Sequence, residues 1–310
     1  MTAAAPAKFV EPRYGESLFR KSARKFRRDR LGMASLSIVG VYAVIALCVK
    51  IGLFATLDAA TTPVGRQHVA PGQTYQHILA DKSVEERTSW FGTDIRGNDV
   101  GLKLIYSIKQ AFAIGILVAF FSVLIGVVLG AISGYFGGKT DDFLLWVYTS
   151  MSSVPYILWI IAISYAFGKG FTGVVIALSS TFWVGIYFNI RAEVQRLKEM
   201  EFVLASESFG MGKMHIIFRD IMPNLTHLIS IFLSLNFIAA IKNEVILSFL
   251  GLGIAGEPSW GAMISSARLD LLAGKWWEVT GATILLFILV MAFNLFTDSL
   301  QDAFDPKKVG

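Results

Sequence analysis

The stretch EFVLASESFGMGKMHIIFRDIMPN, residues 201–224, is the most informative part of this 310-residue chain. From Met214 onward, its apolar residues follow the i, i+3, i+4, i+7, i+8 spacing of a helix with one apolar face. They are Met214, Ile217, Phe218, Ile221 and Met222. Residues 197–209 are also compatible with a helix, Gly210-Met211-Gly212 predicts a joint between the two, and Pro223 is expected to end the second. The stretch therefore predicts two short helices joined at glycines.

The second of these helices has two interpretations. Its polar face carries Lys213, His215, Arg219 and Asp220. Such a helix can lie at the membrane surface with its apolar face in the lipid. It can also dock in a groove on a partner protein and transmit movement to the rest of the chain. The choice depends on the segments that flank it.

Beyond this stretch, the composition is that of a membrane protein. The chain is 54% hydrophobic and 16% charged, with a mean hydropathy of +0.58, whereas soluble proteins carry about 25% charged residues. Six uncharged segments are long enough to cross a hydrocarbon layer about 30 Å thick. They are residues 31–49, 111–138, 143–168, 170–190, 221–241 and 279–297. The predicted fold is an all-α integral membrane protein with six transmembrane helices.

The distribution of positive charge predicts the orientation. Nine Lys and Arg residues lie between Lys8 and Arg30, directly before the first segment. Because membrane proteins keep Lys and Arg in cytoplasmic segments, the N-terminus is predicted to be cytoplasmic, and six spans return the C-terminus to the same side. The predicted organisation is a cytoplasmic tail (1–30), a transmembrane domain (31–300) and a second cytoplasmic tail (301–310). Within the transmembrane domain we predict an outer loop (50–110), an inner loop (191–224) and an outer or re-entrant segment (250–278).

Two glycine-rich motifs resemble nucleotide-binding loops but lack their context. A phosphate-binding loop needs a glycine five residues before its last Gly-Lys and a strand leading in, but here Ser133 precedes Gly138-Lys139 after an apolar run. Residues 251–256, GLGIAG, fit the dinucleotide fingerprint but are followed by Glu257-Pro258 and not by a helix. We expect these glycines to make turns and close contacts, and no nucleotide to bind this chain.

The sequence also lacks the patterns of an enzyme. Its four histidines are scattered without metal-ligand spacing, and no serine lies in a nucleophile-elbow motif. The single Cys48 excludes an internal disulfide and a cysteine-built metal site. We expect no catalytic residue, metal site or bound cofactor in this chain.

Residues 201–224 resemble the cytoplasmic coupling motif of binding-protein-dependent ABC importer permeases, a Glu-Ala-Ala loop with a glycine six residues after the glutamate. Leu204, Ala205, Ser206 and Gly210 occupy these positions, so leucine replaces the glutamate and serine the second alanine. The resemblance favours the docking interpretation and implies a set of ATPase-coupling residues. These are Leu204, Ala205, Ser206, Gly210, Met214, Ile217, Phe218, Ile221 and Pro223.

Three further segments resemble one branch of this family, the C-type permease of dipeptide and oligopeptide importers. Phe91-Gly92-Thr93-Asp94 with Gly97-Asn98-Asp99-Val100 resembles the motif before span two, with Asn98 where arginine is usual. SFLGLG (248–253, with Gly251 and Gly253) and PSWG (258–261) resemble the segment after span five, and DAFDP (302–306) resembles the C-terminal end. The resemblance runs from about residue 20 to the end.

The resemblance implies a fold and a set of partners. The fold would be that of a type I ABC importer permease with a cytoplasmic coupling helix, located in a bacterial inner membrane. A homologous second permease would complete a heterodimer, two cytoplasmic ATPases would bind ATP and Mg²⁺, and an external binding protein would deliver the solute. Membrane lipid would surround the chain, and no nucleic acid would bind. ATP binding would open the pathway outward and hydrolysis would return it inward. The solutes of such importers include dipeptides, oligopeptides and nickel chelates, among which the sequence does not choose.

Polar residues inside the fifth segment are candidates for contact with the solute, because ionisable groups in a membrane are costly. They are Asn236, Lys242, Asn243 and Glu244. We expect Glu244, with Asn236 nearer the cytoplasm, to border the pathway and to meet ammonium or amide groups of a peptide. Lys242 falls about 26 Å along the helix, where extension of its side chain to the outer membrane surface is an alternative role.

A secondary transporter or channel working alone is the alternative from another functional class. Such proteins often have inverted repeats and broken helices with charge near the middle of the membrane. The sequence shows no repeat, and its only broken, charged region lies near the predicted outer surface. The two alternatives differ in their partners, since only the importer needs ATPase subunits.

Overall fold

The computed structural model describes residues 24–64, 66–78 and 84–304, and most of these are helical. The α-helices are α1 (Arg30–Lys50), α2 (Leu57–Thr61), α3 (Val100–Phe136), α4 (Gly138–Ser152), α5 (Tyr156–Phe167), α6 (Phe171–Lys198), α7 (Glu201–Ser208), α8 (Lys213–His215), α9 (Met222–Phe249), α10 (Trp260–Leu272) and α11 (Trp277–Phe304). A π-helical turn (Ile216–Ile221) joins α8 to α9. Strands β1 (Gln73–Ile78) and β2 (Val84–Ser89) pair antiparallel, with Gln73 opposite Ser89.

The helices confirm the predicted all-α membrane fold. Five are long and apolar enough to cross a membrane, and a sixth span is obtained if α4 and α5 are counted together. The five are Arg30–Lys50, Val100–Phe136, Phe171–Lys198, Lys213–Phe249 and Trp277–Phe304.

The third predicted span is not one continuous helix. Residues 143–168 were expected to form it, but α4 and α5 are separate helices bent by 91°. The break falls at Pro155, which has no N–H to donate and disfavours helical geometry in the residue before it. An uncharged segment of sufficient length therefore contains a sharp corner.

The second span begins earlier than predicted. Its helix starts at Val100 and not at residue 111, with the Asp99 carboxylate capping it through the Leu102 N–H at 3.0 Å. The prediction was wrong because Lys103 and Lys109 were taken to lie in the loop. Lys103 is instead paired with two carboxylates inside the fold, so its charge does not interrupt the helix.

The fifth span is longer than predicted and includes the second helix of the inner loop. One helical path runs from Lys213 to Phe249, where residues 221–241 were expected. Pro223 does not end a separate docking helix as predicted, because it lies in the first turn of α9, where a missing N–H costs little. The inner loop is therefore joined directly to a transmembrane helix.

Helix α3 packs along α6, α9 and α1 and lies at the centre of the bundle. Its closest approach is to α6, along glycines spaced at four residues, Gly126, Gly130 and Gly134. A Cβ atom at Gly130 would lie 2.8 Å from the Tyr187 carbonyl oxygen. This backbone contact fixes the position of α3 relative to α6.

The bundle has two different ends. At one end, which we call the coupling end, α7 lies beside the last turns of α3 and α6, and Lys198 Nζ donates to the Tyr135 carbonyl at 2.9 Å. At the other, which we call the sheet end, Trp277 Nε1 at the start of α11 donates to the Thr93 carbonyl at 3.0 Å. The inner loop and the two-stranded sheet are thus at opposite ends of the bundle.

The first and last described residues lie together at the coupling end. Lys25 Nζ donates to the Asp302 carbonyl at 2.7 Å, and the Phe304 ring lies 6.5 Å from that of His227 near the start of α9. The two ends of the described chain are therefore on one side, while the cytoplasmic location of both termini stays a prediction. Residues 1–23 of the basic tail, and residues 305 and 306 of the C-terminal motif, lie outside the described residues.

Candidate functional site

Helix α7 carries the predicted coupling motif and projects its apolar side chains outward. Leu204 is 49% exposed, Ala205 is also exposed, Ser206 is partly exposed, and the chain turns at Gly210. The exposed large apolar residues of this segment form what we call the coupling surface. They are Phe202, Leu204, Phe209, Met211, Met214 and Phe218. Exposed apolar residues concentrated in one segment indicate an interaction site.

The apolar residues of the second predicted helix divide between this surface and the core. Ile217 and Ile221 are buried, and they pack with Leu225 and Val203 in one cluster. Met214 and Phe218 are exposed, as is Pro223. The stripe expected to face one partner therefore has a buried edge that fastens the loop and an exposed edge that is available for docking.

Polar contacts also attach α7 to the bundle. The Tyr135 hydroxyl, at the end of α3, donates to Glu207 Oε1 at 3.3 Å. Lys198 lies over the same tyrosine ring at 5.4 Å from its centroid. Sequence reasoning missed the contact to Tyr135, because that residue is far from α7 along the chain. These contacts connect α7 and the end of α6 to the end of α3.

A partly buried ion pair connects α6 to the first turn of α4. Arg191 is bidentate to Asp141, with Nε to Oδ1 at 2.6 Å and a terminal nitrogen to Oδ2 at 2.5 Å. Ser133 of α3 donates to the same carboxylate and lies 2.8 Å from the Tyr187 hydroxyl. Bidentate pairs are among the strongest and most directional polar contacts. The sequence did not reveal this pair, because Asp141 and Arg191 lie fifty residues apart.

The bend between α4 and α5 opens a cleft of about 510 Å³ against α6 and α9. Asn236 and Asn243 line it, as do Pro155, Tyr156 and Trp159 at the bend. Two of the four predicted pathway residues are therefore brought together at one cavity within the membrane-spanning part of the chain. We call it the membrane cleft.

The other two predicted pathway residues are not among those that line the membrane cleft. Lys242 is exposed. Glu244 is buried, and its Oε1 accepts hydrogen bonds at 2.7 Å from Ser248 and from Ser259. The expectation that Glu244 and Asn236 border one pathway does not fit this geometry, because the carboxyl is turned toward the segment after span five.

The glycines of that segment allow it to fold back against α9. Gly251 has φ +76°, a conformation that favours glycine. A Cβ atom at Gly253 would lie 1.9 Å from Ser248 Oγ. The sequence predicted a bend and close packing here, and the contact to Ser248 supplies the physical reason.

The motif before span two forms a polar cluster at the sheet end. Lys103 Nζ lies 2.8 Å from Asp94 Oδ2 and 2.5 Å from Glu278 Oε1. Burial alone would raise the pKa of the Asp94 carboxyl, but the Lys103 ammonium and the hydrogen bonds from Lys103 and Asn98 hold that pKa below its ordinary value. Gly92, Thr93, Asp94, Gly97 and Asp99 lie together in this turn, where Thr93 and Asp99 form a β-bridge.

Comparison with known proteins identifies the family. Residues 126–310 match the binding-protein-dependent transport system inner membrane component family. The chain is 33% identical to the dipeptide transport system permease protein DppC of Bacillus subtilis (strain 168), over 92% of this chain and 84% of that protein. It is 32% identical to the oligopeptide transport system permease protein OppC of the same organism, over 94% of this chain and 90% of that protein.

A solved structure agrees on the fold. A chain of the methionine ABC transporter MetNI in an inward-facing conformation matches with a TM-score of 0.51 at 15% identity, covering 66% of this chain and 96% of that one. The resemblance predicted from the sequence is thereby confirmed. The chain belongs to the family of inner membrane components of binding-protein-dependent transport systems, and it is a membrane transport subunit, not an enzyme.

Proposed function

We propose that this chain is one of two permease subunits of an ATP-driven importer, and that it forms half of the translocation pathway for peptides or chemically related solutes. The solute class rests on the relatives, which are named as dipeptide and oligopeptide permeases. A glutathione transport system permease of Pectobacterium atrosepticum is also 30% identical over 84% of this chain.

The observation that carries this proposal is the coupling surface, which begins on α7 and continues to Phe218. Its apolar side chains are exposed, while Val203 and the Tyr135–Glu207 contact fasten the same helix to the bundle. A helix that is free on one face and fixed on the other is suited to transmit a partner's movement. Because Leu204 replaces the glutamate usual in the family motif, the contact at this position is apolar.

The proposed cycle follows from these connections. The partner ATPases hold ATP and Mg²⁺, and their closure displaces α7. The displacement reaches α3 and α6 through Tyr135 and Lys198, and it reaches α9 because the helical path from Lys213 is continuous. The pathway then alternates between its outward and inward openings. A homologous second permease completes the pathway, and an external binding protein delivers the solute at the sheet end.

Purification of the tagged full-length chain from its native membrane in mild detergent tests the proposal. Mass spectrometry is expected to find a second permease and ATPase subunits in stoichiometric amounts, and the complex is expected to hydrolyse ATP. Recovery of the chain alone or as a homo-oligomer, active in transport without ATPase activity, would overturn the proposal and favour a secondary transporter.

A further inference from the structure

We propose that the membrane cleft holds an extended stretch of peptide main chain, which it recognises through the side-chain amides of Asn236 and Asn243. The inference rests on the proposed function and extends it, because it names the part of the solute that this subunit binds. The recognised group is the neutral amide that all peptides share, and not a charged terminus or side chain.

The first observation is an unsatisfied acceptor. Asn243 is only 6% exposed, and its Oδ1 has no hydrogen-bond partner in the described part of the chain. Its Nδ2 donates to the Ala239 carbonyl of its own helix at 2.9 Å, which leaves the oxygen as the atom without a partner in a residue that lines the cleft. Buried acceptors are almost always paired in native proteins. A group that enters the cleft and donates an N–H would satisfy this one.

The second observation is the spacing of the two amides. Asn236 is held in the same way, with Nδ2 donating to the Phe232 carbonyl at 2.9 Å. Residues seven apart lie on the same face of a helix, about 10 Å apart along its axis. An extended peptide advances about 3.3–3.6 Å per residue, so about three residues span this distance. The two asparagines can therefore contact one main chain at two points.

The third observation is the absence of charge. None of the residues that line the cleft is Asp, Glu, Lys, Arg or His, and Tyr156, Trp159 and Phe182 contribute aromatic walls. A charged group in such a site would lose its hydration without gaining a counter-ion. Flat, apolar walls with a few fixed polar atoms suit a neutral main chain and varied side chains.

The cleft is also held open by the chain's own contacts. Trp159 Nε1 donates to the Met151 carbonyl at 3.0 Å, across the bend between α4 and α5. The same carbonyl accepts from the Val154 N–H at 3.4 Å, so the tryptophan adds a second donor at the end of α4. The bend is therefore stabilised before any solute arrives, which reduces the cost of binding.

The test uses the assembled complex in proteoliposomes, with its binding protein and a tripeptide with uncharged side chains as the probe. We expect Asn243→Leu, which removes the acceptor, to lower ATP-dependent uptake about tenfold, with normal assembly and basal ATPase activity. Asn189→Leu is the matched control, because Asn189 also donates to its own helix, to the Gly185 carbonyl at 2.8 Å, but is exposed. It is expected to leave uptake unchanged.

Two further probes identify the recognised group. Tripeptides with a Lys or a Glu side chain should lose uptake in Asn243→Leu by the same factor as the one with uncharged side chains. An N-methylated tripeptide lacks the main-chain N–H. The wild-type complex should take it up more slowly than the unmethylated peptide. With the same binding protein present, this difference in uptake should be about tenfold smaller in Asn243→Leu. Asn243→Asp, which keeps an acceptor and adds a charge, should favour the Lys tripeptide.

Several results would overturn the proposal. Uptake by Asn243→Leu equal to that of Asn189→Leu would do so, as would a loss that depends on peptide charge. If Asn243→Leu blocked assembly while Asn236→Leu and Asn243→Asp transported all probes normally, the cleft would be covered by the second permease and not by solute. Absence of ATP-dependent uptake in the wild-type complex would overturn the proposed function together with this inference.

Discussion

At the scale of single residues, Glu244 is a candidate functional residue in the sequence, but its contacts in the structure hold two helices together. Its carboxyl accepts hydrogen bonds from Ser248, one turn away, and from Ser259, fifteen residues away. It thereby ties the end of α9 to the start of α10. The sequence identifies Glu244 as unusual because ionisable residues in a membrane segment are costly. It does not reveal a distant serine, because that contact depends on how the intervening glycines fold.

We expect Glu244→Ala to lower the free energy of unfolding by about 2 kcal/mol, because two buried hydroxyl groups lose their acceptor. Glu244→Gln keeps one acceptor oxygen and should lose less. Thermal unfolding of the purified complex measures both, and the exposed Glu199→Gln is the control. If Glu244→Gln were as stable as the wild type but lost most peptide uptake, Glu244 would act in the translocation pathway and not as a stabilising contact.

Leu204 is the residue at which this chain departs from the family motif. Its side chain is 49% exposed on a helix that is otherwise fastened to the bundle. We expect Leu204→Asp to lower solute-stimulated ATPase activity about tenfold, because a carboxylate would be desolvated in an apolar contact. Leu204→Met, which preserves an apolar side chain, should retain activity. Equal activity of the two variants would contradict an apolar contact with the ATPases.

At the scale of elements, hydropathy predicts most of the spans because their lipid-facing and core residues are both apolar. It does not predict the corner at Pro155, since residues 143–168 are as uncharged as a straight span. It also misplaces the start of α3, where Lys103 is neutralised by the nearby Asp94 and by Glu278 from a distant part of the chain. The membrane cleft depends on that corner, so its two asparagines were recognisable from the sequence but their shared cavity was not.

The ion pair between α4 and α6 leads to a prediction about coupling. Arg191 and Asp141 join the helix that precedes α7 to the helix pair that lines the cleft. We expect Asp141→Asn to lower the free energy of unfolding by about 2 kcal/mol, because the partly buried guanidinium loses its charged, bidentate partner. It should also raise the ATP hydrolysed per peptide transported.

A matched control lies on the same helix. Glu193 and Arg196 also form an ion pair, but the arginine is exposed, and such pairs contribute only about 0–1 kcal/mol. Glu193→Gln should therefore leave the ATP-to-peptide ratio unchanged in proteoliposomes. An unchanged ratio in Asp141→Asn would show that the pair stabilises the fold without carrying the coupling movement.

At the scale of the whole molecule, the separation of the coupling end from the sheet end underlies the proposed cycle. ATPases and binding protein must act from opposite sides of the membrane, and the chain offers a different surface to each. The excess of Lys and Arg before α1 predicts that the coupling end is cytoplasmic. The helices themselves are compatible with either orientation, because hydrophobic length has no direction.

Labelling of single cysteines determines the orientation. Cys48 is the only cysteine of the chain, so Cys48→Ser provides an unreactive background. Lys139→Cys replaces an exposed residue in the first turn of α4 at the coupling end, and Trp90→Cys replaces a residue that is 78% exposed at the sheet end. In right-side-out vesicles, a membrane-impermeant maleimide should label Trp90→Cys at once and Lys139→Cys only after permeabilisation. The reverse pattern would place the coupling surface outside the cell, where no ATPase can reach it, and would contradict both the charge argument and the importer.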